Sequence, residues 1–450
     1  MNLNKRAQTT LFFVIILCFF GMSVLVGKGL QNKVSAETDS YEDLKVFTEV
    51  LSTLQKNYVE PVKSKELVYG AIKGMLNTLD AHSAFMSPEL YKEMQIDTKG
   101  EFGGLGLQIG TKENKLIVIA PIEGTPADLA GIKPGDIILK VDDYVLTKET
   151  SLMDAVNKMR GAKGTKVTLT IQRDPTPVPM VFDLVREIIR IQSVKWKVLE
   201  PGIGYVRLTQ FQEQTADDLI QALSKLREEK IHSLILDLRN NPGGLLTSAI
   251  EVSEQFLESG KPIVSIKGRD GKKDEYVAGR AQTLQDMPMI VLVNEGSASA
   301  SEIVSGALQD WGRAVVLGTQ TFGKGSVQTI LPLSDGSALR LTTAKYYTPK
   351  GRSIQNTGID PDIIVKPVKA KEMKITREKD LDRHLKNELR PEAEKADPIA
   401  SFPPDEEAEF APSPKEKEED IQLQKAVDLL KSWRIFKDLT PKLAAQQKVG

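Results

Sequence analysis

Apolar residues recur along this chain at several spacings, and each spacing predicts a different kind of element. Leu44, Phe47, Leu51, Leu54 and Tyr58 follow at three- and four-residue steps, the period of one helix face. A second helical pattern covers residues 68–79, with a proline turn at Pro61 between the two. Two short helices with apolar faces cannot form a core alone, so residues 37–97 must pack on a partner subunit or on later domains.

Short apolar runs follow. Residues 116–120 read as a strand, 131–138 as a turn feeding another, and 152–159 as a helix able to wall a groove. Strand patterns at 203–206, 234–238, 263–266, 290–293 and 315–317 then alternate with helical ones at 216–228 and 247–257. That alternation predicts an α/β domain with its sites at the strand C-terminal ends. Beyond residue 368 the pattern fails. Lys, Glu and Pro dominate, with Pro391, Pro398, Pro403, Pro404, Pro412 and Pro414, and the segment to Asp420 is predicted to be a flexible linker. Leu423, Val427, Leu430 and Ile435 then mark one amphipathic helix, expected to dock on the body.

A length of 450 residues fits two or three domains, and 40% hydrophobic with 27% charged residues is ordinary for a folded protein. A net charge of −1 gives no electrostatic footprint for nucleic acid. Cys18, the one cysteine, lies inside an apolar run, which excludes a disulfide framework and a cysteine peptidase. Lys5 and Arg6 precede that run, residues 11–26, so residues 1–36 read as a signal peptide or an N-terminal membrane anchor. Val34-Ser35-Ala36 offers a cut before Glu37. The body is then expected in a periplasm or on the outer face of the cytoplasmic membrane. Leu17 and Phe19 lack the small-residue surroundings of a lipid-modified cysteine.

Two short motifs carry the chemistry. Ser297-Ala298-Ser299-Ala300-Ser301-Glu302 follows a strand pattern and precedes an amphipathic stretch, so Ser299 is expected where strand turns into helix, near a positive dipole end. Lys324 arrives later, between Gly323 and Gly325. Of the three histidines, His232 begins an apolar run, His384 lies in a charged segment, and His82 fits a turn after a helix. None is flanked by residues resembling a triad, and a lysine whose pKa burial lowers is the better base. The bland alternative is a serine helix cap and a solvated lysine. Residues 318–325 also approach a phosphate loop, with glycine where Ser or Thr would hold magnesium. A phosphate loop must open a helix, whereas residues 326–332 alternate, are β-branched and end in proline.

Residues 98–175 open with Gly100-Glu101-Phe102-Gly103-Gly104-Leu105-Gly106-Leu107. Such a loop can capture a terminal carboxylate while the adjacent strand edge adds the peptide as a β-strand. With the Pro134-Gly135-Asp136 turn, this stretch resembles a PDZ domain, and Gly104, Leu105, Gly106 and Leu107 are its candidate peptide-binding residues. Asn241-Pro242-Gly243-Gly244, at the end of a strand, could present a backbone N–H to an oxyanion, or could simply start a helix.

Taken together, residues 241–244, 297–302 and 323–328 resemble the C-terminal processing, or tail-specific, serine peptidases. The resemblance covers residues 40–365 and implies a multidomain α/β protein: N-terminal helices, an inserted β-barrel-like PDZ domain, and a catalytic domain over 176–367 like the crotonase/tail-specific protease core. It implies Ser299 as nucleophile, Lys324 as general base, Gln328 orienting the lysine, and an oxyanion hole from the N–H groups of Gly244 and Ala300. It implies no metal or cofactor, protein substrates with exposed apolar C-terminal tails, dimerisation through the N-terminal helices, and an adaptor or activator acting on a PDZ gate. A catalytically silent peptide-binding scaffold is the alternative. One departure is Ala81, where the family commonly has proline. That turn is far in sequence from Ser299 and Lys324, so the departure is expected to matter little.

Overall fold

A computed structural model describes residues 41–176, 178–279, 287–367, 376–389 and 420–446. It divides into two units, residues 1–78 and 79–450. In the first, helices cover residues 41–57 and Ser64–Leu76. The apolar stripe of the first helix stays uncovered, with Leu44, Phe47 and Leu54 all exposed.

The second unit is built on a six-stranded sheet. Its spatial order is Val194–Glu200, Ile203–Leu208, Ser233–Asp237, Met289–Val293, Val315–Gly318, Ile363–Ile364. The first pair is antiparallel and the rest parallel. Alternate residues on each strand face opposite layers. Val206, Leu236 and Val291 pack on one side against helices Thr215–Glu228, Leu246–Glu254 and Ala300–Asp310. Tyr205, Ile235, Ile290 and Leu317 face the other side, where Ala426, Val427 and Leu430 of helix Ile421–Gln446 cover them.

The strand expected at 263–266 does not join this sheet. Pro262–Gly268 lies in a second, antiparallel one, between Ala338–Tyr347 and Lys273–Val277. Periodicity reports that a segment is a strand, not which sheet accepts it. Ser326–Pro332 and Ala84–Met86 complete that sheet by pairing with Ala338–Tyr347. A strand therefore follows Gly325, as the alternating pattern predicted, and the phosphate-loop reading fails.

The PDZ sheet runs Leu107–Lys112, Lys115–Pro121, Ile137–Val141, Lys166–Gln172, Met180–Val185, with Tyr144–Val145 on the third strand. The boundary expected at residue 175 cuts this sheet, because Met180–Val185 pairs with Lys166–Gln172 over six residues. Strand Glu101–Gly104 leads into the unit and Glu187–Arg190 leads out, paired antiparallel, so the domain is inserted on a two-stranded ribbon. Asp136, nearly fully buried, accepts from Arg173 Nε and Nη2, both at 2.7 Å, and from the Lys133 N–H, which fixes the Pro134-Gly135 turn.

A further correction concerns the linker. Residues 376–389 fold onto the second unit rather than running free: Glu378 is fully buried and Asn387 nearly so. Both make side-chain bonds with Gln355, which composition could not anticipate. The Pro-rich stretch 390–419 lies outside the described residues.

Candidate active site

Strand Met289–Val293 is buried along its whole length and ends in the turn that carries Ser299. Small polar residues pin this turn to the neighbouring strand end. Ser297 Oγ donates to the Leu238 carbonyl at 2.8 Å, Ser301 Oγ donates to the Asn241 carbonyl at 2.9 Å, and the Ala298 N–H reaches that same Asn241 oxygen at 3.0 Å. Asn240 and Asn294 exchange bonds of 2.8 Å each way. Ser299 itself sits at φ 56°, ψ −111°, immediately before helix Ala300–Asp310. A non-glycine residue there is strained, the kind of backbone that lifts a side chain clear of a strand-to-helix turn.

The lysine loop is fastened to this turn by one buried carboxylate. Glu302 Oε2 accepts the Ser299 N–H at 2.8 Å and the Lys324 N–H at 3.0 Å. The two backbone nitrogens are therefore no farther apart than these two bonds laid end to end. Glu302 Oε1 accepts from the Gly323 N–H at 2.8 Å and from Thr321 Oγ1. Burial pushes the Glu302 carboxyl up to about 7, against these four donors, which favour the anion. Close packing completes the lysine loop. A methyl group on Gly325 would lie 2.6 Å from the Gln355 nitrogen, and the Gly325 N–H donates to Gln355 Oε1 at 2.9 Å.

Burial first, and then the Arg340 guanidinium, hold the Lys324 amine below the ordinary lysine range. The carboxylates of Glu378, Glu302 and Asp80 oppose this. Tyr346 is buried, donates its hydroxyl to the Lys324 carbonyl, and shares a hydrogen bond with Ser299. Burial and the Glu302 charge raise its phenol well above the usual range. Gln328 Nε2 donates to Thr342 Oγ1 at 2.8 Å and to Ser326 Oγ at 3.3 Å. Its Oε1 is buried with no partner among the described residues.

The candidate oxyanion donors converge on the same turn. Phe211 and Gly244 form a parallel bridge that uses the Gly243 carbonyl and the Leu245 N–H. In that geometry the Gly244 N–H is left out of the bridge. The Ala300 N–H belongs to the first turn of its helix and has no intrahelical acceptor. Gly243 joins the two: at φ 104° its added Cβ would sit 2.9 Å from Ser299 Cβ and 3.0 Å from the Ala300 nitrogen. Only glycine fits.

Gly104, Leu105, Gly106 and Leu107 share no hydrogen bond with the Ser299 cluster. The Leu105 and Gly106 carbonyls accept the Ala127 and Ile122 N–H groups, at 3.0 and 2.8 Å. Strand Leu107–Lys112 lies at an edge of the PDZ sheet, with Lys115–Pro121 on its other side.

Several site residues carry no motif of their own. Glu302 stands three residues after Ser299, the spacing of a capping box, and that signal was in the sequence. Asp80 was not legible. Its Oδ1 accepts from Thr342 Oγ1 at 3.0 Å, and that hydroxyl accepts from Gln328. The turn at 80–83 is thus beside the lysine site despite its remoteness in sequence, which overturns the reason for discounting it. Ala81 itself leaves Asp80 bonded to the N–H groups of His82 and Ser83, at 2.8 and 2.9 Å. His82 Nε2 lies 2.7 Å from the Glu378 carboxylate, His232 Nε2 lies 3.0 Å from Arg434, and His384 Nδ1 bonds the Leu381 carbonyl. Among the described residues no group of three or more His, Cys, Asp or Glu could hold a metal ion.

A small β-domain inserted on a two-stranded ribbon and a strained serine bolted to a lysine loop have the make-up of a peptidase with an inserted PDZ domain, and comparison with known proteins agrees on that class. Family models match as PDZ domain over residues 103–179 and Peptidase family S41 over 202–365. A third, Activating protease CtpB N-terminal domain, matches 15–90. The chain is 44% identical to a carboxy-terminal-processing protease of Bartonella bacilliformis over 94% of this chain and 96% of that one. It is 43% identical to a carboxyl-terminal-processing protease of Synechocystis, covering 69% of this chain and 74% of that protein. Among solved structures it resembles a photosystem II D1 C-terminal processing protease at 31% identity and TM-score 0.42, over 71% of this chain and 92% of the other. The chain belongs to the carboxy-terminal-processing proteases of peptidase family S41.

Proposed function

We propose that this protein is an extracytoplasmic serine endopeptidase that binds the C-terminal tails of protein substrates through its PDZ domain and cleaves them with a Ser299/Lys324 dyad. The observation that carries this reading is the Glu302 carboxylate, which accepts the Ser299 and Lys324 N–H groups on one oxygen. Two loops held so closely, one with a strained serine and one with an amine whose basicity burial reduces, have the composition of a nucleophile and its base.

In this mechanism Ser299 Oγ gives its proton to neutral Lys324 Nζ and attacks the scissile carbonyl carbon. The oxygen that becomes negative takes the Gly244 and Ala300 N–H groups, which are oriented before substrate arrives. Collapse breaks the C–N bond as the leaving amine takes the proton from Lys324. Water, deprotonated by the same lysine, then hydrolyses the Ser299 ester. Gln328 Oε1 is the natural acceptor for the lysine N–H groups, since a buried carbonyl oxygen without a donor is costly. The substrate tail adds to the open edge of strand Leu107–Lys112, its carboxylate at the Leu105 and Gly106 N–H groups.

Export is supported by Lys5, Arg6 and the apolar run 11–26, which lies outside the described residues. Among the described residues no helix is long and apolar enough to cross a membrane. The uncovered stripe on helix 41–57 supports a second copy or an activator docking there.

The test is degradation of a loosely folded protein with an apolar C-terminus, without ATP or metal. Ser299→Ala and Lys324→Ala should each lower turnover by at least about 10³-fold. Cleavage surviving Ser299→Ala sinks the mechanism, and a folded, tail-binding but inert unaltered chain points to the scaffold or to a missing activator.

A further inference from the structure

Arg239 opens the loop that runs through Gly243 and Gly244 to the candidate oxyanion site, and its side chain is held from both sides. From within the sheet, Asp237 accepts Arg239 Nε at 3.0 Å, Nη2 at 2.7 Å and the backbone N–H at 2.9 Å. Asp237 is fully buried and also accepts the Tyr205 hydroxyl at 2.8 Å. From across the sheet face, Asp420 takes Nη1 at 2.8 Å and Nη2 at 2.7 Å, and Gln422 takes Nη1 at 3.0 Å. Both acceptors stand at the start of helix Ile421–Gln446, 181 residues and more beyond the loop.

The start of this helix is itself anchored. Gln422 Nε2 donates to the Val365 carbonyl at 2.8 Å, and Asp420 Oδ1 accepts the Leu423 N–H at 3.1 Å. Burial alone would raise the Asp420 carboxyl, but the Arg239 and Leu423 donors more than offset it and hold it below the ordinary carboxylate range. The helix body needs no help from this pair. Ala426, Val427 and Leu430 bury against the sheet, and Lys431 pairs with Glu200 at 2.6 Å. Packing holds the helix in place, so the bidentate Asp420–Arg239 pair is available for another role.

We infer that the C-terminal helix is part of the catalytic apparatus, with Asp420 a positioning residue that sets the Arg239–Gly244 loop through the Arg239 guanidinium. The middle of the loop is fixed by the Asn240–Asn294 exchange and by Ser301 on the Asn241 carbonyl, and its far end by the Gly243 carbonyl, which accepts the Phe211 N–H at 2.9 Å. Asp420 fixes the near end. With it absent, Nη1 keeps the neutral Gln422 oxygen alone, Nη2 keeps Asp237 alone, the two-pronged charged clamp from the helix is lost, and the loop carrying Gly243 and Gly244 gains freedom where a small displacement costs rate.

The inference rests on the dyad reading for what the loop does, and the experiment separates the two. Steady-state cleavage of a tail-bearing peptide by the full chain is compared with Asp420→Ala, Asp420→Glu and Leu430→Ala, with thermal midpoints alongside. Asp420→Ala should lower kcat by about 10-fold or more while KM changes by less than about twofold. Asp420→Glu should restore most of the loss, because the carboxylate still reaches the fork. Leu430→Ala removes buried packing from the same helix and should lower the midpoint at least as much, with kcat held within about twofold. An unchanged kcat in Asp420→Ala overturns the inference, as does an equal loss of kcat in Leu430→Ala, which would make helix packing the whole effect. If Asp420→Ala does not fold, Asp420→Asn decides: it keeps one acceptor oxygen, loses the charge and the second prong, and should fall between the unaltered chain and Asp420→Ala's expected loss, and full activity there overturns the charged clamp. Failure of the dyad shows elsewhere, as activity surviving Ser299→Ala.

Discussion

Two glycine loops in this molecule present backbone N–H groups, and they are secured in opposite ways. The Leu105-Gly106 loop is held by its own carbonyls, which accept the Ala127 and Ile122 N–H groups and the Thr125 hydroxyl, and by the buried Leu105 side chain. The Gly243-Gly244 loop is fastened by side chains from several distant elements: Asn294 and Ser301 from the serine turn and helix, Asp237 from its own strand, and Asp420 from the last helix. A loop that captures a flexible tail tolerates adjustment, whereas one that must meet a developing charge has to be in place before the reaction begins. Polar side chains reach in to hold the second loop, whereas the first rests on its own carbonyls and one buried leucine.

The largest effect is expected at Glu302, which ties the Ser299 turn beside the second glycine loop to the lysine loop. Glu302→Ala leaves the Ser299, Gly323 and Lys324 N–H groups without their buried acceptor, and should cost about 3–5 kcal/mol of stability. Activity should fall by about 10³-fold, as measured by urea unfolding and peptide turnover. Near-full activity in a destabilised Glu302→Ala chain would show that the two loops hold their geometry without it.

A glycine-to-alanine pair sharpens the contrast. Gly243→Ala drives a methyl against Ser299 Cβ and the Ala300 nitrogen at φ 104°, and should lower kcat by about 100-fold. Gly106→Ala is strained too, at φ 77°, and its methyl would run into Cβ, Oγ1 and Cγ2 of Thr125, so the backbone of the loop has to shift, away from the Ser299 turn. It should raise KM about tenfold and leave kcat unchanged. The same kinetic signature from both variants would erase the distinction between the loops.

The smallest effect on stability concerns the lysine. Its folded pKa is lowered from 10.5, so above that lowered value the unfolded chain binds the proton that the folded chain has released. Stability therefore rises with pH through the window up to 10.5. Lys324→Met should abolish turnover yet raise the thermal midpoint at pH 7, with the gain shrinking as pH climbs toward 10.5. A gain that grew with pH would mean the amine is not strained by burial.

How much of this was legible depended on distance along the chain. Ser299 and Lys324 could be singled out as candidates because each lies in a short motif, and the Gly243-Gly244 pair because a tight backbone approach writes itself as glycine. Strand positions followed from alternation, but the partner of Pro262–Gly268 did not, since pairing is decided by the sheet as a whole. Asp80, Glu378 and Asp420 escaped for one reason. Each reaches its partner from far along the chain, and nothing local distinguishes it from a solvated carboxylate.

The placement of the last helix also bears on how the protein comes into being. Tyr205, Ile235, Ile290 and Leu317 form an apolar sheet face that, among the described residues, Ala426, Val427 and Leu430 of the last helix cover, with Leu423 and Leu429 beside them. Synthesis at about 5–20 residues per second puts roughly 10–40 s between Arg239 and the arrival of Asp420, 181 positions later. During that interval the nascent sheet shows water a greasy face and an arginine fork that is only half engaged. The peptidase unit thus matures late, and the residues that close its sheet are among the last of its core to be made.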